Sequence, residues 1–317
     1  MSGENLVRKI VIDVDPGIDS AVALALALFD PSLEVVAVTA VAGNVSAEQA
    51  TRNVQAIIEQ LDPPRRPRVG AAIEPDSAPA GNLAFLSGSD GLGSAEFHVA
   101  ELHQRHPSEK VLAESIRTSA EQLTILTLGP LTNVGMCLRR DPAIVGQIGQ
   151  FLIAGGTYAV PGNVTPSAEF NMYFDPEAAR DTLRSRATKT LLPLDVLSKP
   201  VFDYGLLERV PNTESNVGLL LSKVLPYYFR SHRRQLGIEG VRLHDAVAVL
   251  ALTNPELFTT QRGAVDVETT GDITSGATVF DRRPDPQWSP NCDVAIDVNV
   301  AGVVDAIVSG LERAASF

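Results

Sequence analysis

The sequence predicts an α/β fold: one domain over residues 1–317, with a mostly parallel, doubly wound sheet, helices on both faces and extra C-terminal strands. Three observations predict it. Short apolar runs alternate with longer stretches of helix-favouring residues, the order that parallel crossover units require. Several of those apolar runs stop at small or polar residues, as at Asp13-Val14-Asp15, Gly43-Asn44 and Gly155-Gly156. No linker divides the chain, and 44% hydrophobic residues among 317 suffice for one large core.

Taken in order, Ile10 to Ile12 reads as a buried strand, broken by Pro16 and Gly17, and Ala21 to Phe29 is an Ala/Leu-rich helix. Leu33 to Ala42 is a valine-rich strand. Ser46 starts a helix, with Gln49 placed to complete a capping box, and the prolines at 63, 64 and 67 end it. Arg68 to Gly70 is a short strand. Residues 73–96 break the alternation with Gly88, Gly91 and Gly93 beside Asn82, Ser87 and Asp90, a loop long enough to imply function or disorder. Ser108 to Ser119 is helical, Leu123 to Leu128 a strand, Leu131 to Leu138 a helix and Phe151 to Ala154 a strand. Asp175-Pro176-Glu177 opens a helix with an N-cap, a proline at the first position and an acid in the first turn. Thr190 to Leu194 is a strand ending at Asp195, and residues 203–236 are mostly helical. His244-Asp245 begins a helix through Leu252. Val265 to Thr269, Ala277 to Phe280 and Val294 to Asn299 are the C-terminal strands, and Gly302 to Ala314 the last helix.

A net charge of −12 argues against nucleic acid or an anionic membrane surface as partner. The basic patch of Arg230, Arg233 and Arg234 then reads as a solvated face. Cys137 and Cys292 are far apart and in no metal-type spacing, which points to a reducing, cytoplasmic setting. The N-terminal residues hold no apolar signal core and no run reaches membrane-spanning length, so no membrane association is expected.

Four polar stretches fall at strand ends or helix starts: Asp13/Asp15/Asp19, Gly43-Asn44, Asn163 to Asn171, and His244-Asp245. Strand carboxyl ends share one edge of a doubly wound sheet, so these stretches can converge there. Each has an ordinary reading: Asn44 as a turn residue, Glu169 as surface charge, Asp245 as an acid answering a helix dipole, His244 as a half-buried histidine. One of the three N-terminal acids can likewise cap a helix while the others are solvated. The alternative is a site. Crowded carboxylates repel unless a cation neutralises them, and an all-oxygen set suits Ca²⁺ or Mg²⁺. Such a set can draw a proton from water, hold a polyhydroxylated ligand and, with a histidine near the rim, protonate a leaving group. That is the chemistry of hydrolysing a sugar derivative.

Asp13-Val-Asp-Pro-Gly-Ile-Asp19, Gly43-Asn44, Ser87 to Gly93, Leu128-Gly-Pro-Leu-Thr-Asn133, Pro161 to Asn171 with its Asp-Pro-Glu-Ala-Ala tail, and His244-Asp245 occur in this order. In these six segments, spread over nearly the whole chain, the sequence resembles the ribonucleoside hydrolases of the inosine–uridine-preferring type. The resemblance implies that Asp15 binds Ca²⁺ and activates the attacking water. It implies Asp245 and the Leu128 carbonyl as further metal ligands, and Asp13 as a brace for the metal loop. Asp19, Asn44, Asn163, Glu169 and Asn171 would hold the ribose hydroxyls, with Asp245 beside them, and His244 would assist departure of the base. It further implies a nucleoside substrate, a role in purine or pyrimidine salvage, and a homodimer or homotetramer. The base would meet the 73–96 loop and the 220–240 helix, where Tyr227, Tyr228, Phe229, His232 and Arg233 are candidates for contact or for packing; Tyr173 and Phe174 read as core.

The sequence departs from the family pattern at one metal position. Where the signature continues with a second aspartate, this chain has Ser20, shorter and neutral. The expected consequence is a weaker Ca²⁺ site with two carboxylates. The alternatives are a relative that binds nucleoside or ribose with impaired catalysis, and a hydrolase of a modified ribosyl substrate.

Overall fold

The structure is a computed structural model that describes residues 7–75, 79, 83–100, 105–119, 122–211 and 213–317. Its organising strand is β1 (Arg8–Val14), followed by α1 (Ile18–Leu28), β2 (Leu33–Ala40), α2 (Ala47–Leu61), β3 (Arg68–Gly70), the single turn α3 (Ala84–Ser87) and α4 (Ser108–Thr118). The chain continues through β4 (Thr124–Thr127), α5 (Thr132–Arg140), β5 (Gln150–Ala154), α6 (Phe170–Phe174), α7 (Pro176–Arg184), β6 (Lys189–Leu192), α8 (Leu194–Leu197) and α9 (Gly205–Arg209). It ends with α10 (Asn216–Leu236), α11 (His244–Thr253), β7 (Phe258–Gly263), β8 (Val265–Val267), β9 (Thr278–Phe280), β10 (Cys292–Val298) and α12 (Val300–Ala314).

The residues of β1 alternate between two cores. Ile10, Ile12 and Val14 pack with α1, α2, α10, α11 and α12 on one face, and Val11 packs with α4, α5 and α7 on the other. A strand covered on both faces must be apolar throughout, which is why this run shows no polar alternation. The eight strands of the main sheet lie in the order β3-β2-β1-β4-β5-β6-β10-β7. All neighbours are parallel except β7, which runs antiparallel to β10 at the edge. The order reverses between β1 and β4, because the chain builds outward through β2 and β3 before returning to the other side of β1. Such a switch point leaves a crevice at the strand carboxyl ends.

The expected fold class holds, with local corrections. The C-terminal region contains β7, which the sequence reading omits. Its Thr259 to Arg262 stretch is exposed and polar, so it carries no hydrophobic signal. β8 and β9 form a separate two-stranded sheet rather than extending the main one, with Val265 and Val267 buried against the α7 side of the core. The strand expected to run to Leu194 stops at Leu192 before Pro193, and Asp195 lies inside the short α8. The capping box at Ser46 is half made: Ser46 accepts from the Gln49 backbone, but the Gln49 amide donates to Asn53 instead. Asn82 lies outside the described residues.

Candidate active site

Asp15 follows β1 directly, at the switch point, and is 8% exposed. Its Oδ2 accepts both the backbone N–H and the side-chain Nδ2 of Asn44, each at 2.8 Å. Its Oδ1 is buried with no hydrogen-bond partner among the described residues. Burial pushes this carboxyl up to about 7, against the opposing Asn44 hydrogen bonds. Glycine makes the approach possible: a Cβ on Gly43 would clash with the Asp15 carboxylate, and one on Gly129 would lie 2.5 Å from the Asp15 backbone N. Asp13 does not line the cavity. Its Oδ1 accepts from Thr39 Oγ1 at 2.5 Å and from Asn133 Nδ2 at 2.8 Å, tying β1 to β2 and α5 beneath the site.

The N-termini of α1 and α11 meet beside Asp15. Asp19 Oδ2 accepts the Asp245 backbone N–H at 3.0 Å, capping α11, while Asp19 Oδ1 is buried without a partner among the described residues. Ser20 donates its hydroxyl to Asp245 Oδ2 at 2.6 Å and accepts from the Gly17 N–H at 3.1 Å. Burial raises the carboxyls of both Asp19 and Asp245, and each opposes ionisation of the other. His244 Nε2 sits 3.1 Å from Ser198 Oγ. Burial, then the charges of Arg242 and His232, push this imidazole down to about 3. It is therefore neutral near pH 7.

The third side comes from the segment after β5. Glu169 Oε2 accepts three backbone N–H groups, from Gly156 at 2.9 Å, Asn171 at 3.0 Å and Met172 at 3.3 Å. It thereby caps α6, yet burial still raises its carboxyl to about 7. The surface-charge reading of Glu169 is wrong, since the residue is 5% exposed. Asn171 Nδ2 donates to the Leu128 carbonyl at 3.2 Å and the Ala154 carbonyl at 3.0 Å. Asn163 Oδ1 accepts the Phe170 N–H at 2.9 Å.

Asp15, Asp19, Ser20, Asn44, Leu128, Asn163, Glu169, Asn171, His244 and Asp245 all line one cavity of about 620 Å³. The structure thus gathers every site residue named from the sequence except Asp13. Among the aromatic and basic candidates of α10, Tyr228 and His232 reach the cavity. Tyr227 instead packs over Gly93, Phe229 stacks on Tyr204 with ring centroids 4.9 Å apart, and Arg233 pairs with Glu239 at 3.3 Å. Phe174 is buried as expected, with Tyr173 half-buried. Wall residues that sequence reasoning did not single out include Phe85, Asp195, Ser198, Lys199 and Arg242. Asp195 had a signal, a carboxylate just beyond a strand. It fixes the opposite rim by accepting N–H groups from Tyr158, Ala159 and Val160. The others are lone residues without a motif.

A hard cation fits these donors as a site of two carboxylates. Among the described residues no three His, Cys, Asp or Glu side chains are grouped to hold a metal. The unpartnered buried Oδ1 of Asp15, however, is an oxygen that lacks a positive counterpart. With Asp245 and the Leu128 carbonyl it makes an oxygen-only donor set of the kind Ca²⁺ takes.

Residues 10–305 match the family described as inosine-uridine preferring nucleoside hydrolase. The chain is 37% identical over 307 residues to the pyrimidine-specific ribonucleoside hydrolase RihA of Salmonella paratyphi B, covering 96% of this chain and 98% of that one. Among solved structures it superposes on a plant nucleoside hydrolase, PpNRh1, with a TM-score of 0.89 and 30% identity, covering 96% of this chain and 99% of the other. The purine-preferring ribonucleoside hydrolase of Gardnerella vaginalis gives a TM-score of 0.89 at 27% identity, over 97% and 99% of the two chains. A carboxylate-lined crevice at the sheet's switch point, these matched residues and this shared fold lead to one conclusion: the chain is a hydrolase that belongs to the inosine-uridine preferring nucleoside hydrolase family.

Proposed function

We propose that this protein is a Ca²⁺-dependent N-ribohydrolase that splits ribonucleosides into ribose and free base, with pyrimidine ribonucleosides as its first substrates. The observation that carries the reading is the Asp15 carboxylate. One oxygen is fixed by two hydrogen bonds from Asn44, and the other is buried with no hydrogen-bond partner among the described residues. The likeness to the Salmonella pyrimidine-specific enzyme supports the choice of base.

Asp15, Asp245 and the Leu128 carbonyl would hold the cation, with Ser20 beside them. Bound there, Ca²⁺ would supply Lewis-acid polarisation of water and anchorage for vicinal hydroxyls. Asp15 takes a proton from the water that attacks the anomeric carbon. Asp19, Asn44, Asn163, Glu169 and Asn171 bind the ribose hydroxyls. Carboxylates accept from hydroxyls, and the amides both donate and accept. Their hydrogen bonds to backbone groups fix these side chains before substrate arrives, so little ordering remains to be done in the complex. His244 lines the cavity as a neutral ring held by Ser198. The C–N bond breaks, and the base leaves as it acquires a proton.

The test is ribose release from uridine, cytidine and inosine with Ca²⁺ in excess. Turnover is expected, fastest on the pyrimidines, and Asp15→Asn is expected to lower kcat by ~10³. Absence of release from every common ribonucleoside would falsify the reading.

A further inference from the structure

Arg242 is a group in the cavity that the roles above leave unused. It lies two residues before His244 and lines the same cavity. It is half-buried, and its Nε is fully buried with no hydrogen-bond partner among the described residues. None of the ion pairs among the described residues includes it. A buried guanidinium N–H without an acceptor is costly, because it has lost water without gaining a partner.

The charges in the cavity are segregated. Arg242 lies close enough to oppose protonation of His232 and His244. No arginine or lysine stands among the influences on Asp15, Asp19, Glu169 or Asp245. The cavity therefore has an anionic side at the strand edge and, away from it, the Arg242 cation beside two neutral histidines. A ribose held by the carboxylates directs its base away from them. The remaining wall, with Tyr228, His232 and Arg242, is where that base can lie.

We propose that Arg242 contacts the base of the bound ribonucleoside and stabilises the negative charge that develops on it as it departs. The inference rests on the ribohydrolase reading above. As water adds to the anomeric carbon, the C1′–N bond breaks and its electron pair moves onto the base, spreading to the ring carbonyl oxygens. The guanidinium donates hydrogen bonds to that anion and keeps its own proton. Asp15 gains one proton from the attacking water, the base gains one from solvent, and Asp15 then returns its proton to solvent. Arginine suits this task because it stays charged at every working pH and donates in a fixed plane. A preorganised donor aimed at developing charge is worth ~10²–10³ in rate.

The experiment compares two substrates in the Ca²⁺-loaded full chain: uridine, whose base leaves poorly, and 4-nitrophenyl riboside, whose phenolate carries its own charge. Arg242→Met is expected to lower kcat/KM on uridine by ~100-fold and on the nitrophenyl riboside by less than ~5-fold. Arg242→Lys, which keeps the charge, is expected to recover part of the uridine loss, and it serves as the test if the methionine variant does not fold. Equal losses on both substrates, or unchanged turnover of uridine, overturn the inference while leaving the hydrolase reading intact. If the unaltered protein cleaves neither substrate, the hydrolase reading fails and this inference fails with it.

Discussion

Ser20 is the residue on which the proposed cation site turns. Its hydroxyl hydrogen-bonds Asp245 at 2.6 Å, so the position remains inside the carboxylate cluster although it carries no charge. Restoring a carboxylate should raise cation affinity: Ser20→Asp is expected to tighten Ca²⁺ binding by ~10–100-fold in titration calorimetry, since affinity follows ligand charge. Unchanged affinity would place Ser20 outside the cation's ligand shell. At this scale the sequence was informative where a residue follows a strand or opens a helix. Asp15, Asn44, Asp245 and the Asn163 to Asn171 segment all reach one cavity. Direction was not legible. Asp13 lies in β1 and Asp15 just past its end, yet Asp13 turns toward Thr39 and Asn133 and Asp15 into the crevice. That difference depends on where the strand ends and its backbone leaves the pleat. Arg242 was invisible for another reason: a lone arginine has no meaning until the fold places it in a wall.

The elements act by bringing backbone close to Asp15. Gly129 follows β4 where a Cβ would sit 2.5 Å from the Asp15 backbone N. Gly129→Ala is expected to cost ~1–3 kcal/mol in chemical denaturation and ~100-fold or more in kcat, because overpacking displaces the base. A loss of stability without loss of rate would show that Asp15 tolerates displacement. In α10, His232 is buried and its Nδ1 donates to the Tyr228 carbonyl at 3.1 Å. Burial pushes it from the ordinary 6.5 down to about 4. The unfolded chain therefore binds the proton first, so this contribution to stability is full above pH 6.5 and is lost as pH falls toward 4. Over that window the urea midpoint of the unaltered chain should fall relative to that of His232→Leu, the buried carboxyls raised to about 7 acting alike in both. An identical slope in the variant would mean that His232 is not held neutral. The helices of α/β crossovers were legible from apolar runs and caps, as at Asp175, which accepts from the Ala178 N–H at 3.0 Å. β7 was not, because an edge strand with exposed Thr, Gln and Arg has no pattern to read.

Across the whole molecule, the fold concentrates buried acid at one edge of the sheet. The parallel order and its reversal beside β1 follow from the alternation of elements, so the place of the crevice was legible before its contents were. What was not legible is how the C-terminal strands divide between two sheets, since Val265 to Val267 would satisfy either. No helix among the described residues is long and apolar enough to cross a membrane. A cation that binds only the folded chain should stabilise it by mass action. Ca²⁺ at a hundred times its Kd is expected to add about 2.7 kcal/mol, read as a higher Tm than in chelator. An unchanged Tm would mean that the carboxylate cluster is balanced without the ion. The most direct measurement is Ca²⁺ titration of the metal-stripped protein by calorimetry, with ribose release from uridine and inosine followed over the same concentrations. The account expects binding at one site per chain and activity that rises in step with occupancy. Full activity in the stripped protein, or saturated binding with no ribose released, would contradict it.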